Sequence, residues 1–451
     1  MRKETIAAIS TGMTASGIGI VRMSGPEAIQ AADRLFSGRK PLASAATHTL
    51  HHGFIEKEGV SYDEVLVSVM RAPHTYTGED VVEINCHGGL YVARRILELV
   101  LSEGIALAEP GEFTKRAFLN GRMDLSQAES VAGVIASGNE YALRAGVAGL
   151  KGKIEELIRG IRDRLLDEIS AIEAALDDPE HYDLTGYGDA LLKRLDPIEN
   201  EVKDLLKRSE RGSLLREGIR TAIAGRPNAG KSSFLNLLSG FEKSIVTEIP
   251  GTTRDVIEEA VNVGGLTLLL MDTAGLRETA DPVERIGVDR AKEALSQADL
   301  VLYVVDAVTG LQPEDAETLK TLDPKKVILL YNKADLLPET VDRGAFGDGI
   351  LFSCRTEEGL SELEKTITGR FLSGQVSFND TVILTSERQI SLLKEALQSL
   401  EEVRQGISDG VSEEFLSSDL LSAYTALGKI IGEAVEDDVA DRVFEKFCMG
   451  K

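Results

Sequence analysis

Cysteine is scarce in this chain, and it contains neither a long apolar run nor an excess of basic residues. The three cysteines, Cys86, Cys354 and Cys448, are odd in number and far apart. They therefore predict no disulfide framework and no Cys-x-x-Cys metal site, as expected in a reducing compartment. No stretch reaches the ~18 apolar residues of a membrane span, and residues 1–4 do not open a secretory signal peptide. We predict a cytoplasmic protein.

Acidic side chains outnumber basic ones, 74 to 50, which gives a formal net charge of −24. Because contacts with nucleic-acid phosphates need clustered lysine and arginine, this charge argues against indiscriminate nucleic-acid binding. It leaves room for a local basic patch, so a role with RNA must be selective or shared with a partner. With 451 residues, 43% of them hydrophobic, the chain is long enough for about two to four domains with their own cores.

Residues 225–232 have the pattern Gly, four residues, Gly-Lys and Ser, which is typical of a phosphate-binding loop. A short apolar run before the loop suits a buried strand, and the residues after it suit the start of a helix. In that context backbone N–H groups close around phosphate oxygens, and the helix N-terminus adds partial positive charge. We expect Lys231 to reach the β- and γ-phosphates and Ser232 to ligate Mg²⁺. The alternative is a chance glycine turn.

Later stretches decide between these alternatives. Asp272-Thr-Ala-Gly275 follows an apolar run and offers an acidic group near Mg²⁺ and a glycine N–H to the γ-phosphate. Asn332-Lys333-Ala334-Asp335 follows another apolar run, and a carboxylate there accepts hydrogen bonds from guanine groups that adenine lacks. The threonines of residues 250–255 suit a loop that closes over Mg²⁺, and residues 353–355 suit a loop beside guanine. Order, spacing and strand context together resemble a translation-factor-class GTPase domain specific for GTP.

The predicted GTP site draws on all of these loops, with Ser232 and Thr253 as the Mg²⁺ ligands. Its members are Asn228, Ala229, Gly230, Lys231, Ser232, Ser233, Thr247, Glu248, Ile249, Pro250, Gly251, Thr252, Thr253, Asp272, Thr273, Ala274, Gly275, Asn332, Lys333, Asp335, Ser353, Cys354 and Arg355.

The rest of the chain divides by its hydrophobic periodicity. Residues 1–120 alternate short strands and helices and predict an α+β domain; Cys86 beside His87 suggests either a metal site or a plain strand end, and we favour the strand end. Residues 121–216 repeat apolar side chains at helical spacing, and that spacing returns over 376–451. Because residues 217–375 lie between these blocks, we predict one all-helical domain, split in sequence, with a Ras-like P-loop GTPase domain and its doubly wound sheet inserted.

The whole set of motifs resembles the tRNA-modification GTPase family MnmE (TrmE). The resemblance covers essentially the entire chain, although residues 11–16 and 385–389 depart from the usual family sequence. The stretches that carry it are Gly225–Ser232, Glu248–Asp255, Asp272–Arg277, Val283–Gly287, Gly78–Glu83, His87–Gly89, Pro110–Phe113, Arg116–Asn120 and the C-terminal Cys448–Lys451.

The resemblance implies a function. Members of this family are homodimers that act on tRNA with a flavin- and NADH-using partner, MnmG (GidA), in a heterotetramer or larger assembly. Together they place an aminomethyl or carboxymethylaminomethyl group on C5 of the wobble uridine, and the one-carbon unit comes from 5-formyl- or 5,10-methylene-tetrahydrofolate. The N-terminal domain resembles the folate-binding domain of aminomethyl transferases and also forms the dimer. The positions that match the family's folate contacts are Arg22, Glu83, Arg122 and Lys451. The alternative for each is a surface ion pair.

Hydrolysis must proceed without the glutamine that Ras-type enzymes use to orient water, because Leu276 occupies that position. The resemblance implies that Glu284 is the general base. The predicted catalytic residues are Glu284, Lys231 and Cys448. The resemblance also implies that a K⁺ ion takes the place of an arginine finger. The K⁺ site would form fully only when two GTPase domains meet face to face. Its ligands would be the side chain of Asn228 and backbone oxygens near Thr247, Ile249 and Thr252.

The thiol of Cys448 has two interpretations. The resemblance implies direct chemistry in the modification, whereas the rival is that Cys448 and Lys451 only pack the C-terminal tail into the folate pocket.

The competing function is a GTP-dependent ribosome-assembly switch of the Era or Der type, since those GTPases share this domain type. Such a protein would carry an RNA-binding domain such as KH, with its GXXG loop. No basic module of that kind is apparent in the sequence, and residues 448–451 would have no purpose in that role. We therefore place tRNA modification first.

Overall fold

The structure is a computed structural model that describes residues 4–178, 181, 186–240, 257–271, 295–338, 341, 343–372, 382–433, 443–445, 447 and 450. The chain forms two compact units. Unit 1 comprises residues 1–132, 150–200 and 391–451, and unit 2 comprises residues 133–149 and 201–390.

Unit 1 is built on a seven-stranded sheet. Its strands are β1 (Ile6–Ile9), β2 (Ile18–Ser24), β3 (Phe36–Gly38), β4 (Thr49–Lys57), β5 (Val60–Met70), β6 (Val81–His87) and β7 (Ala106–Leu107). They are ordered β3-β4-β5-β6-β2-β1-β7. The pair β1–β7 is parallel and the other neighbouring pairs are antiparallel. The predicted α+β character of this part of the chain is confirmed.

Helices are distributed along the whole chain. In sequence order they are α1 (Ala28–Leu35), α2 (Leu90–Leu101), α3 (Glu112–Leu119), α4 (Leu125–Ile135), α5 (Glu140–Leu150), α6 (Lys153–Asp177), α7 (Tyr187–Glu217), α8 (Lys231–Ser239), α9 (Pro313–Thr321), α10 (Leu360–Leu372), α11 (Glu387–Asp409) and α12 (Glu413–Ile431). Short 3-10 helices cover Leu42–Ser44, Ala334–Leu336 and Arg343–Phe346.

The two faces of the sheet in unit 1 differ. Because successive strand residues point to opposite faces, Val21 and Ile84 lie on the face covered by α1 and α2, where they belong to one large buried cluster. Arg22 and Glu83 therefore lie on the other face, in register with each other across β2 and β6. On that face Phe113 from α3 is fully buried. Cys86 and His87 are the last residues of β6, which confirms the strand end.

The helical part of unit 1 packs through apolar stripes, and α6 and α12 lie against each other. The stripe on α6 buries Ile158, Ile161 and Leu165, as the helical spacing predicts. Among these apolar side chains Arg162 is almost fully buried, with its guanidinium 4.0 Å from the ring centroid of Tyr424. No helix in the described part of the chain is long and apolar enough to cross a membrane.

Unit 2 is built on a six-stranded sheet, which confirms the predicted P-loop α/β fold. Its strands are β8 (Ile219–Ala224), β9 (Ile257–Val263), β10 (Leu266–Met271), β11 (Leu300–Asp306), β12 (Val327–Asn332) and β13 (Ile350–Leu351), in the order β13-β12-β11-β8-β10-β9. All neighbours are parallel except β9 and β10. The carboxyl ends of parallel strands meet at one edge, so the loops after β8, β11 and β12 lie side by side.

Candidate functional site

The predicted phosphate loop, residues 225–232, connects β8 to the N-terminus of α8. Gly225 has φ +139°, and a Cβ atom there would lie 2.1 Å from the carbonyl oxygen of Val304. Gly230 has φ +99°, and a Cβ atom there would lie 2.0 Å from Nδ2 of Asn332. Only glycine fits both places without movement of a neighbour. The loop thus brings backbone close to the first turn of α8, whose N–H groups lack partners within the helix and suit an anion.

The polar side chains of this loop are arranged around that helix end. The ammonium of Lys231 donates hydrogen bonds to the carbonyl oxygens of Gly225 and Arg226, each at 2.8 Å. Ser232 and Ser233 are exposed in the first turn of α8, and Asn228 is exposed with φ +61°. The loop and the first turn of α8 thus contribute one ammonium group and two exposed serines beside these N–H groups, a combination that suits a phosphate and its metal ion.

Asn332, the last residue of β12, links two loops at the edge of the sheet. Its Nδ2 donates to the carbonyl oxygen of Ala229 at 2.9 Å, and its Oδ1 accepts from the N–H of Cys354 at 3.2 Å. The residue is only 3% exposed, so both bonds are shielded from water. The phosphate loop and the loop after β13 are therefore held in a fixed relation by one side chain.

Asp335 is held as a charged acceptor. The hydroxyl of Ser353 donates to its Oδ1 at 2.7 Å, and Arg355 lies 2.7 Å from its Oδ2. The Ser353 hydrogen bond, followed by the charge of Arg355, holds the pKa of this carboxyl below its usual value. Recognition of the guanine N1–H and amino group requires a hydrogen-bond acceptor, and a carboxylate that is ionised at neutral pH provides one. Burial raises the pKa of Cys354 beside it, so that thiol stays neutral.

Our sequence analysis missed one charged residue at this edge, Asp306 at the end of β11. Its Oδ2 accepts a hydrogen bond from the ammonium of Lys333 at 2.6 Å. The same ammonium donates to the carbonyl oxygen of Asn228 at 2.8 Å. The apolar run of residues 300–305 followed by an acidic residue repeats the pattern of residues 266–272, and it is the signal that identifies Asp306.

Several predicted residues lie outside the described residues. They are Thr247, Glu248, Ile249, Pro250, Gly251, Thr252, Thr253, Asp272, Thr273, Ala274, Gly275, Glu284, Cys448 and Lys451. The predictions for the Mg²⁺ ligand Thr253, the general base and the three backbone ligands of K⁺ therefore remain predictions.

A second polar cluster in unit 1 contains two of the residues predicted to contact folate. Nε of Arg22 donates to Oε1 of Glu83 at 2.8 Å, and its Nη1 donates to the carbonyl oxygen of Gly450 at 3.2 Å. The guanidinium lies 5.5 Å from the ring centroid of Tyr76 and 5.7 Å from that of Phe113. The structure therefore contains an ion pair whose guanidinium lies near two aromatic rings.

Arg122 stands apart from this pair. It is exposed just beyond α3, and within the described residues no hydrogen bond or ion pair joins it to Arg22 or Glu83. As for the alternative of a metal site, no group of three or more His, Cys, Asp and Glu residues suited to a metal ion occurs in the part of the chain that the structure describes.

This mostly parallel sheet defines a P-loop protein of the GTPase class, because its strand ends carry the phosphate loop, Asn332-Lys333-Ala334-Asp335 and the Ser353 loop. The MnmE helical domain family matches residues 125–448, and the family described as GTP-binding protein TrmE N-terminus matches residues 5–122. This chain therefore belongs to the MnmE family of tRNA modification GTPases.

Relatives and solved structures are similar to this chain over different shares of its length. The tRNA modification GTPase MnmE of Lachnoclostridium phytofermentans is 47% identical and that of Acetivibrio thermocellus 45% identical, and each match covers 100% of both chains. Among solved structures, the G domain of the T. maritima FeoB iron transporter is 31% identical over 33% of this chain and 96% of that chain, with a TM-score of 0.25.

Proposed function

We propose that this chain hydrolyses GTP within a complex that installs an aminomethyl or carboxymethylaminomethyl group on C5 of the wobble uridine of tRNA. The observation that carries the proposal is the pairing of Arg22 with Glu83 in unit 1. The same chain has, in unit 2, a phosphate loop that Asn332 ties to the carboxyl edge of the sheet. Full-length identity of 47% to a protein named tRNA modification GTPase MnmE supports the coarser part of the proposal, a GTPase that acts in tRNA modification. A ribosome-assembly switch would combine the GTPase part of unit 2 with an RNA-binding domain, and it gives the Arg22–Glu83 pair no purpose.

The residues of the phosphate loop fit GTP with its Mg²⁺. At Gly230 the phosphate loop has room for the backbone but not for a Cβ atom. Ser232 is exposed in the first turn of α8. We assign Ser232 and Thr253 to Mg²⁺, Lys231 to the β- and γ-phosphates and Asp335 to guanine. Of the proposed K⁺ ligands only Asn228 is described, and its exposed side chain at φ +61° suits the role. A K⁺ ion there would stabilise charge that develops in the transition state.

The cluster around Arg22 fits a reduced folate. A flat heteroaromatic ring with an amino edge suits a site where a carboxylate pairs with a guanidinium that lies near the rings of Tyr76 and Phe113. We assign Glu83, with Arg22 as its partner, to the pterin amino edge, and Arg122 and Lys451 to the glutamate carboxylates at the other end of the ligand. A bound reduced folate would supply the one-carbon unit, and Cys448 would either take part in its transfer or pack the tail.

We also propose the partners that this reaction needs. They are a second copy of this chain, a flavoprotein of the MnmG type and tRNA. The proposed domains are residues 1–120 for folate and dimer contact, 121–216 and 376–451 for the split helical domain, and 217–375 for GTP. A cytoplasmic location belongs to the same proposal.

The test is a nucleoside analysis of total tRNA from cells that lack this gene, complemented with variants. Wild type should restore the 5-substituted wobble uridine, whereas Gly230→Ala and Arg22→Met should not. Arg34→Met is the matched control, because Arg34 forms an exposed ion pair with Glu103 elsewhere in unit 1. Purified Arg22→Met should keep its rate of GTP hydrolysis. Unchanged uridines in the deletion strain would overturn the proposal and favour the ribosome-assembly function.

The K⁺ assignment has its own measurement. Hydrolysis of GTP should be faster in K⁺ than in Na⁺ at equal ionic strength, and Asn228→Ala should remove most of that difference. Equal rates in both salts, with dimer formation confirmed, would refute the K⁺ site.

A further inference from the structure

Asp306 occupies a central place at the carboxyl edge of the sheet in unit 2. It is the last residue of β11, which lies between β8 and β12, and it is in register with Asn332. Both of its carboxylate oxygens are engaged: Oδ2 accepts from the ammonium of Lys333, and Oδ1 accepts from the N–H of Val308 at 2.9 Å. The carboxylate is thus fixed in orientation by the strand end and by its own turn.

Lys333 depends on this carboxylate for its position. The residue has φ +66°, an unusual backbone conformation for a residue other than glycine, and the turn after β12 imposes it. Its flexible stem leaves the ammonium to be positioned by its partners. Those partners are Oδ2 of Asp306 on the rigid strand and the carbonyl oxygen of Asn228 on the phosphate loop. The ammonium therefore links the phosphate loop to the centre of the sheet.

The carboxyl group of Asp306 stays ionised in these surroundings. Burial raises the pKa of its carboxyl, but the hydrogen bonds from Lys333 and the N–H of Val308 and the charge of Lys333 outweigh burial and lower it. The residue is therefore a carboxylate at neutral pH. Because a carboxylate beside a phosphate site repels the ligand unless it is paired, its use here lies in the ion pair with Lys333 and not in contact with phosphate.

We propose that Asp306 is a nucleotide-positioning residue, which holds the ammonium of Lys333 against the carbonyl of Asn228 and thereby sets the affinity of the site for guanine nucleotides. Without the carboxylate, Lys333 keeps one carbonyl partner on a loop and loses its anchor on the strand. The phosphate loop then loses its tie to β11 at Asn228. Affinity for GDP and GTP falls together, since the link lies on the part of the site that both nucleotides share.

The test is a double-mutant cycle on nucleotide affinity, with Asp306→Asn, Lys333→Met and both together. Dissociation constants for fluorescent GDP and GTP analogues are measured on the full chain. Asp306→Asn keeps an acceptor for the N–H of Val308 and removes the charge, so it should weaken both nucleotides about fivefold or more. In the Lys333→Met background the same change should add nothing. A loss of less than about twofold from Asp306→Asn alone, or losses that multiply in the double variant, would overturn the proposal.

The chain supplies a matched control at the opposite end of the same strand. Asp299 precedes β11 and pairs with Arg220 through two hydrogen bonds of 2.9 and 3.0 Å. Its side chain is 16% exposed, against 20% for Asp306. Asp299→Asn and Asp306→Asn should therefore lower the unfolding temperature of the nucleotide-free protein by similar amounts. Nucleotide affinity should be unchanged in Asp299→Asn. The conservative change Asp306→Glu should recover part of the affinity; equal losses at both aspartates would mean that Asp306 is only structural.

Discussion

Nη1 of Arg22 donates a hydrogen bond to the carbonyl oxygen of Gly450, which lies 428 positions later in the chain. The hydroxyl of Ser10 donates to the same oxygen at 3.0 Å. Gly450 has φ +84°, and a Cβ atom there would lie 2.3 Å from the carbonyl oxygen of Ile9. Nearby, Phe444 and Phe447 are buried in a cluster with Leu125, Ala128 and Val131. The described residues of the C-terminal tail, among them Phe444, Phe447 and Gly450, are therefore held in unit 1 by two aromatic side chains and one backbone carbonyl.

Phe444→Ala should release this tail. Phe444 is 2% exposed and packs on the rings of Phe118 and Phe447 with centroid distances of 6.1 and 5.5 Å. Its truncation should cost about 3 kcal/mol of packing free energy, the lower end of the range for such changes. We expect limited proteolysis to cleave the tail far faster than in wild type. Phe415→Ala, on a side chain that is 63% exposed, is the control, and equal cleavage of both variants would contradict the anchoring role.

Gly230→Ala should abolish tight nucleotide binding. The added methyl group would collide with Nδ2 of Asn332 and would also force alanine into φ +99°. To separate these causes, Gly347→Ala places alanine at φ +58° in the same unit, where nothing lies within 4 Å. We expect Gly347→Ala to bind GDP as wild type does and Gly230→Ala to lose at least about tenfold in affinity, since the phosphate loop must shift. Titration with a fluorescent GDP analogue measures both. Similar affinities for the two variants would count against the collision.

The thiol of Cys86 should resist alkylation. It is 4% exposed, and burial, followed by the charge of Asp63, raises its pKa to about 11. At pH 8 about one thousandth of this thiol is thiolate, which is the reactive form. Iodoacetamide should therefore label Cys86 at least tenfold more slowly in the native protein than in urea, as peptide mass spectrometry would show. Rapid native labelling would mean that the end of β6 opens readily.

His87 should titrate above the ordinary histidine value because of Asp63. Oδ1 of Asp63 lies 2.7 Å from Nδ1 of His87, and this hydrogen bond raises the pKa of the imidazole. Since the pKa is raised on folding, the stabilising effect of the pair is complete below the ordinary histidine pKa. It is lost as the pH rises through the raised value.

An NMR titration of the imidazole protons tests this assignment. Asp63→Asn should return the pKa of His87 towards the ordinary value. Glu64→Gln should lower it much less, because Glu64 acts on His87 only through its charge and more weakly. Equal effects of the two changes would show that no specific hydrogen bond is present.

The sequence predicted best what depends on neighbouring residues in the chain. The apolar run before the phosphate loop predicted the buried strand β8, and glycine spacing predicted the loop that follows. What the sequence could not predict is what depends on register and on long-range contact. The pairing of Arg22 with Glu83 requires β2 and β6 to be aligned, and the contact with Gly450 requires the tail to return to the first strands. Asp306 was missed because its importance comes from Lys333 on another strand.

The obstacles that face the two glycines of the phosphate loop differ in kind. At Gly230 the obstacle is the side chain of Asn332, which a second mutation is able to shorten. At Gly225 the obstacle is the main-chain oxygen of Val304, which no substitution removes. A genetic selection for second-site suppressors should therefore recover changes at codon 332 that repair Gly230→Ala only weakly, because each of them also removes the bonds of Asn332 to Ala229 and Cys354. The same selection applied to Gly225→Ala should return only true revertants.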